Sequence, residues 1–522
     1  MNLATSILHE DADLLAVNKP AGLATHRKGD LEPWGMVEFL QFWLETRDGV
    51  EPGQRTLGVH QRLDRDTSGV VVFSKSAEAR RALAVQFEKH LAAKRYLLAT
   101  RCKVSHPGFT ADEPLDGKPA RTRFVFQRTL SNGFDLWEAW PETGRTHQVR
   151  LHAAGHGLPI AGDSERGGET GEPLLLHAAG LKLSPPCRPG GRVSFEAPLP
   201  ERFTAATTEE RLLSAALALR RQLMDASETN VWRLLHRQAD GFEPFTADVC
   251  GGALYVEDFQ PDQTEAVRRK LFELLHATFP GTPVVYAGVD PGHPRQEKKL
   301  ETGAMTDGVL TVRENGVLYR MDLLRPGAVG LFLDQRENRR LAMVLAKGKR
   351  LLNLFSYTCG FSVAAARAGA SGSVNVDLSR PALEWGRENF RLNGLSLEGH
   401  AFYADDAMKV LPRLRRRGER FGVVVLDPPS SSRSKQTGHF SAFKDYGALV
   451  KASAPLVEEG GWLFCSCNLA SWPAGDFLGV VEKAVQQTGR RMTQKNWMPQ
   501  PFDFPARPGA PPYFKSVWLR ME

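Results

Sequence analysis

The chain has 522 residues, of which 42% are hydrophobic, 24% charged and 9% aromatic. That composition excludes a largely disordered chain, and the length exceeds one ordinary domain, predicting about three. The 67 Lys and Arg against 60 Asp and Glu give a net charge of +7 and an isoelectric point near 9.0, a balance that suits a polyanionic partner without requiring one. The longest apolar runs, such as LLSAALAL at 212–219, are too short to span a bilayer. Glu10, Asp11 and Asp13 stand where a secretory signal needs an apolar core. A cytoplasmic location without a membrane partner is therefore expected. Cys102, Cys187, Cys250, Cys359, Cys465 and Cys467 are scattered without a CxxC pair, so neither a disulfide framework nor a metal site is expected.

Residues 1–203 alternate short β-like runs (LLAVNKP, GVVVFSKS, RYLLAT, TRFVFQR) with Gly and Pro turns. This predicts a mostly antiparallel, mixed α+β domain. A linker at 204–230 carries an amphipathic helix at about 208–224. Leu212, Ala216, Leu219 and Leu223 form its apolar stripe, and Arg220 and Arg221 its polar side. Core packing accounts for that stripe better than a cofactor does. Between 231 and 330, strands resume around one helix at 264–279, predicting a small α+β domain. Its segment RLLHRQADGFEPFTADVCGGALYVEDF at 233–259 resembles the small domain that precedes the catalytic domain in RlmI-type methyltransferases, which implies that it binds substrate or RNA. From 331 to 522 the runs LLNLFSY, SVNVD, HAFYAD, FGVVVLD and GGWLFCSC alternate with helical stretches. That is the pattern of a doubly wound, Rossmann-like parallel sheet, whose ligands bind beyond the carboxyl ends of the strands. The fold class is thus multidomain α/β.

The first chemical constellation is LGVHQRLDRDTSGVVVFS at 57–74. A turn accounts for Asp66, Thr67, Ser68 and Gly69 but does not need Arg62 and Asp64. On an extended segment their two-residue spacing puts both side chains on one face, and a carboxylate beside a guanidinium stays ionised at neutral pH. By itself the pair is better described as a surface ion pair. Three further segments, VNKPAGL at 17–23, KRYLLAT at 94–100 and GRTHQVRLHAAGHGLPIAGD at 144–163, occur in order around it. Together they resemble the RluA-type pseudouridine synthases, over about the first 200 residues. The resemblance implies isomerisation of uridine to pseudouridine in RNA without a cofactor. It implies Asp64 as the catalytic aspartate, Arg62 filling the space left by a flipped uridine, Tyr96 stacking on the uracil, and Arg150 holding Asp64 charged. Gln61 stands where that family usually has His, with His60 one position earlier. For His147 a structural hydrogen-bonding role is expected.

The second constellation opens with NLFSYTCGFSVAAARAGA at 353–370, a turn of small and polar residues between a strand and a helix. Such a turn lets a ligand approach backbone at a helix N-terminus. Asp377 ends the next strand, where an acidic residue commonly binds ribose hydroxyls; a helix-capping role is the alternative. A nicotinamide-dependent oxidoreductase competes at this point, but its G-x-G-x-x-G is absent. VVVLDPPSSSRSK at 423–435 sets a rigid Asp-Pro-Pro ledge at a strand tip. With FSYTCGF, VDLSRPALEWGRENFRLNGL, ADDA, CSCN and the entry segment GLFLDQRENRR it resembles class I S-adenosylmethionine-dependent RNA methyltransferases of the RlmI and RlmK type, over about 231–522. The resemblance implies S-adenosyl-L-methionine as cofactor. Phe355, Ser356, Thr358 and Gly360 would line its methionine part, Asp377 would hold the ribose and Asp406 the adenine, and Asp427 with Pro428 would face the target base. Cys359 stands where Gly is common, and Ser431 where the family's motif has Phe.

The methyl acceptor turns on Cys467. Cytosine carbon 5 attacks a methyl sulfonium only after a thiolate adds to carbon 6, whereas guanine nitrogen 7 needs no thiol. Cys465 and Cys467 share one strand face and Ser466 the other, with Cys467 nearer the carboxyl end. Cytidine carbon 5 is the expected acceptor, with guanine N7 as the alternative. The whole reads as a bifunctional enzyme acting on 23S rRNA or a pre-ribosomal particle. An RNA-binding assembly factor with weakened catalysis is the rival from another class. RLRRRGER at 413–420 and a loop with His293, Arg295, Lys298 and Lys299 are minor phosphate-binding candidates.

Overall fold

The computed structural model describes residues 6–103, 106–187, 190–289, 298–434, 438–506 and 510–522. The first domain is built on one ten-stranded sheet. Its central run is Leu14–Lys19, Ser68–Ser74, Leu176–Leu183, Ala93–Thr100 and Asp135–Pro141. Pairing is antiparallel except where Ser68 and Gly69 meet His177 and Ala178 in parallel. Gly69 has φ 117° and lies so close to the Ala178 backbone that a Cβ would collide with it. The Ser-Gly ending the polar block at 62–69 is therefore what lets that block turn into the sheet. Helix Met36–Asp48 buries Phe39, Leu40, Trp43 and Leu44 against this sheet. Its Phe42 points the other way and joins a core made by Leu341, Leu345, Trp462 and Trp518 of the last domain.

The connecting helix runs Thr208–Leu223, started by a capping box between Thr207 and Glu210. Ala216, Leu219 and Leu223 of its apolar stripe are buried and Leu212 is half-buried, but Arg220 is not on a solvent face: it is fully buried. Its guanidinium pairs with Asp240 at 2.7 Å on both nitrogens and donates to the carbonyls of Arg233 (3.0 Å) and Asp503 (3.0 Å). Periodicity assigned it outward because no local feature reveals a partner 283 positions away. A five-stranded sheet follows, in the order Val231–His236, Phe245–Cys250, Ala253–Asp258, Val284–Gly288, Lys298–Thr302, with helix Glu265–Thr278 on it. The hairpin Val309–Glu314 and Val317–Asp322 then packs Val317, Tyr319 and Met321 against Leu383 and Phe390.

The last domain has a seven-stranded sheet in the order His400–Ala404, Gly372–Asp377, Arg350–Leu354, Phe421–Leu426, Val457–Cys467, Lys515–Met521, Met492–Pro499. The first five strands are parallel, as the alternation of strands and helices predicts. The final two run antiparallel at one edge, a feature the five apolar runs did not reveal. Among the described residues no helix is long and apolar enough to cross a membrane.

The connecting helix, the middle domain and the last domain meet at Asp503, which is fully buried. Its carboxylate accepts Arg336 bidentately (2.6 and 2.8 Å) and the Arg233 backbone N–H (3.0 Å). Burial opposes this charge, but Arg336 outweighs it and holds the carboxyl below its usual range. Its contribution is therefore full at neutral pH and is lost as pH falls through that lowered value. Asp503→Ala strands the Arg336 charge in the interior and is expected to cost about 3–5 kcal/mol, read as a lower urea midpoint at pH 7.

Candidate active sites

In the first domain, Asp64 sits in the turn before strand Ser68–Ser74, closed by the Thr67 N–H donating to the Asp64 carbonyl (3.1 Å). Two buried residues fix that turn. Thr25 clasps Leu63, its hydroxyl donating to the carbonyl and accepting the N–H, both at 2.9 Å. Lys19 donates to the carbonyls of Pro20 (2.8 Å), Leu23 (2.6 Å) and Arg65 (3.1 Å). Burial drives the Lys19 pKa down to about 7. All three ammonium protons nevertheless have acceptors, so the geometry is that of the charged form.

The Asp64 side chain is 33% exposed and faces the cleft. Arg150 Nη1 donates to its Oδ2 at 3.2 Å. Arg150 is itself held by Asp163, Nε to Oδ2 at 2.7 Å and Nη2 to Oδ1 at 2.6 Å, and these bonds raise its pKa further. On the other side His147 Nε2 lies 3.5 Å from Asp64 Oδ1, and Arg166 Nη2 lies 3.0 Å from His147 Nδ1. A guanidinium only donates, so Nδ1 accepts and the ring proton sits on Nε2, toward Asp64. Tyr96 is half-buried; burial and the nearby Asp64 charge push its hydroxyl pKa up, keeping it neutral. Arg62 is exposed at the cleft mouth. The partners of Asp64 are thus Arg150 and His147, not the near neighbour in sequence. Gln61 donates to the Val70 carbonyl at 3.0 Å, and His60 contacts Ser74 Oγ at the same distance. Asp163 and Arg166 were missed: Asp163 closes the GRTHQ segment 13 residues beyond Arg150, and only the fold brings them together.

In the last domain strand Arg350–Leu354 lies between Gly372–Asp377 and Phe421–Leu426, so the strand order reverses at its end. The turn after it takes left-handed backbone at Phe355 (φ 59°), Tyr357 (46°) and Cys359 (61°). Alternating conformations of this kind curve the chain into a concavity for a ligand. Ser356 is buried, and Thr358, also buried, donates its hydroxyl to the Gly330 carbonyl at 2.7 Å. Gly360 begins the following helix, its carbonyl accepting Tyr319 Oη (3.1 Å). Cys359 is fully buried against Gly386, where a Cβ would collide with its sulfur. Burial pushes its thiol up to about 12, so it packs rather than reacts.

Three carboxylates follow the ends of three parallel strands, two on one side of Arg350–Leu354 and one on the other. Asp377 accepts the N–H groups of Tyr357 and Ser379, each at 2.8 Å, and burial raises its pKa. Asp406 caps helix Ala407–Arg416 by accepting the Met408 N–H (2.8 Å). Asp427 accepts Ser466 Oγ (2.6 Å) and Gln335 Nε2 (2.8 Å), and buried Pro428 follows it. Carboxylates on both sides of the switch point suit a cofactor with ribose hydroxyls, an amino group and a sulfonium cation. Where Ser431 leaves the ledge without a ring, Phe440 comes from the paired strand Gly438–Ser441 and lies 5.7 Å from Phe355. Ser466, rather than Cys467, is the residue of strand Val457–Cys467 bonded to Asp427. Cys467 is 2% exposed, and its sulfur accepts the Leu469 N–H. Its cross-strand partner Lys515 donates to the carbonyls of Leu469 (2.6 Å) and Tyr513 (2.9 Å). Burial raises the thiol pKa and the Lys515 charge opposes that.

Of the minor candidates, Arg413 pairs with Asp405, Lys299 with Glu301, and Lys298 donates to the Gly327 carbonyl. His293 and Arg295 lie outside the described residues.

A family model described as S-adenosylmethionine-dependent methyltransferase matches residues 232–510, more than half of the chain. A second, described as RNA pseudouridylate synthase, matches residues 13–155. The chain is 34% identical over 258 residues to the ribosomal RNA large subunit methyltransferase K of Neisseria meningitidis, covering 47% of this chain and 72% of that protein. To the ribosomal RNA large subunit methyltransferase I of Photobacterium profundum it is 32% identical over 286 residues, covering 54% and 71%. Among solved structures, SMU.776 complexed with SAH matches with a TM-score of 0.54 at 24% identity, over 63% of this chain and 85% of that one. At that identity the likeness speaks for the fold.

Burial pushes the Asp427 carboxyl up to about 6 despite its two donors. Its native pKa then exceeds the unfolded value near ~4, so native protein binds the extra proton and stability falls as pH rises through that window. Asp427→Asn lacks this loss. Its melting temperature relative to wild type is expected to climb by a few degrees between pH 4.5 and 7.5, measured by differential scanning fluorimetry; an unchanged difference would place the carboxyl in water.

Proposed function

The chain belongs to the S-adenosylmethionine-dependent methyltransferase family and carries an RNA pseudouridylate synthase domain ahead of it, and from that premise we propose a bifunctional enzyme of ribosomal RNA. Residues 1–203 isomerise a uridine, 204–230 connect, 231–330 hold RNA, and 331–522 methylate a base of large-subunit rRNA, free or in a pre-ribosomal particle, in the cytoplasm. The supporting observation is the pairing of two sites on one chain. One holds a cleft-facing carboxylate, Asp64, in an arginine clamp; the other sets three carboxylates along the edge of a parallel sheet at its switch point.

In the first site the C1′–N1 glycosidic bond breaks, the uracil turns while held, and a C1′–C5 bond forms as the C5 proton leaves and N1 takes up a proton. Asp64 acts as nucleophile or base. Arg150, anchored by Asp163, donates to it, and the Nε2 proton of His147 is turned toward it. Tyr96 gives the detached base a platform, and Arg62 at the mouth occupies the place of the flipped nucleotide. In the second site, S-adenosyl-L-methionine supplies an electrophilic methyl group when bound. Phe355, Ser356, Thr358 and Gly360 cradle its methionine part, Asp377 accepts from its ribose and Asp406 from its adenine amino group. Asp427 and Pro428 face the base to be methylated.

The acceptor is cytidine carbon 5, with Cys467 adding to carbon 6; the Lys515 ammonium on the adjoining strand stabilises its thiolate. Guanine N7 is the second reading, favoured by the 2% exposure of Cys467 and by Ser466 taking the position against Asp427.

Two substitutions test these assignments. Asp64→Asn keeps shape and removes charge; it should abolish pseudouridine formation while methyl transfer to the same rRNA continues. A variant that still isomerises uridine at an appreciable rate refutes the first site. Cys467→Ala, incubated with labelled S-adenosylmethionine and rRNA, should leave cytidine unmethylated in the digest analysed by mass spectrometry. A methyl group retained on cytidine removes Cys467 from the mechanism, and one found on guanine assigns the enzyme to the N7 class.

A further inference from the structure

The cleft holding Asp64, Tyr96 and Arg62 is a cavity of about 1980 Å³. That is well above the roughly 300–1,000 Å³ of a site for one small molecule, so a single flipped uridine leaves much of it unfilled. The remaining space is not bounded by the synthase domain alone. Its far side is lined by Pro499, which ends strand Met492–Pro499 of the methyltransferase, and by Pro501, Phe502, Phe504, Pro505 and Ala506 just beyond it.

This segment is fixed in place. Asp503 is buried in the Arg336 clamp, and the Asp503 carbonyl accepts Arg220 of the connecting helix. The Phe502 ring meets Phe39 of the synthase edge-on at 5.2 Å between centroids, with the Arg336 guanidinium 5.2 Å from the Phe502 ring on the methyltransferase side. Phe502 and Tyr96 pack against the same apolar cluster. The prolines restrict the backbone further by fixing φ. Pro505 and Ala506 are half-buried, so the outer part of the wall offers apolar surface to whatever enters.

We propose that segment 499–506 of the methyltransferase is a wall of the synthase's RNA site, contacting the nucleotides that flank the target uridine and so selecting which uridine is isomerised. The ligand is an RNA strand with splayed bases, whose flat apolar faces match a rigid, apolar wall. This rests on the proposed pseudouridine synthase activity.

The test uses the full chain and an unmodified large-subunit rRNA transcript labelled with tritium at uridine C5, whose release reports C1′–C5 bond formation. Ala506→Glu sets a carboxylate on the wall against the phosphates; Ala506→Gln adds the same bulk without charge. The expected result for Ala506→Glu is KM for the transcript raised about tenfold at unchanged kcat, with a smaller rise for Ala506→Gln. Calorimetry should give wild-type affinity for S-adenosylmethionine in both variants, showing the methyltransferase fold intact. KM equal to wild type in Ala506→Glu overturns the wall. Should the wild-type chain bind the transcript but release no tritium, the proposed isomerase activity fails and the wall is judged by affinity. An equal Kd for wild type and Ala506→Glu then overturns it, and a tenfold rise supports it. Absence of transcript binding by wild type overturns both.

Discussion

The Asp503 carboxylate is the constraint on which the molecule's arrangement rests. It lies on the methyltransferase, yet its hydrogen-bond partners come from the middle domain (Arg233 backbone) and the methyltransferase entry helix (Arg336), while its own carbonyl takes Arg220 from the connecting helix. Asp503, Arg336 and Arg220 are buried, and Arg233 is half-buried. A buried ion pair is poor evidence of stability, because desolvation offsets its Coulomb energy, but removing one member leaves an unpaired charge. Its effect here is geometric: the guanidinium forks accept one orientation of each domain.

Helix Arg336–Leu345 carries that constraint to both sites. Nearly all of its polar residues are buried, each against a different partner: Arg339 on Glu314 of the preceding hairpin, Asn338 on Ser516 and Trp518 of the sheet, Arg340 on Thr46 of the synthase helix. The residue before the helix, Gln335, donates to Asp427 at the methyltransferase edge. One helix turn thus connects the position of the Asp427 carboxylate to the packing of the synthase against the methyltransferase. Buried polar groups bonded to specific partners define an arrangement more sharply than apolar contacts, which tolerate sliding.

Much of this was legible in sequence and some was not, for physical reasons. The parallel sheet announced itself through apolar runs at regular spacing, and the turn at 355–359 through its small and polar residues. Arg62 and Asp64 stood out because charged residues are dense where turn chemistry does not need them, and Arg150 only through the family resemblance of its segment. The arginines of the junction were illegible. RENRR at 336–340 and Arg220 have the look of solvated faces, since amphipathic reasoning scores polarity along one helix and cannot see a carboxylate hundreds of positions away. Strand alternation correctly set Cys465 and Cys467 on one face and Ser466 on the other. It could not say which face looks toward Asp427, because that depends on the neighbouring strand. The antiparallel edge was missed because strand Met492–Pro499 alternates exposed and half-buried positions and contains Lys495 and Asn496.

Fusing two RNA-modifying domains can act in two ways, and the junction discriminates between them. A flexible tether raises the effective concentration of the second site but leaves the two free to reorient. Here the connecting segment is a docked helix with a buried arginine, and Phe42 and Phe502 each enter the other domain's core. Such contacts hold the sites at one spacing, and a tether has no need of them. A fixed spacing matters only to a substrate large and structured enough to reach both, which a folded rRNA segment is and a free nucleotide is not. The same rigidity lets one domain serve as part of the other's binding cleft: a wall can select among RNA shapes only if it does not yield when RNA arrives.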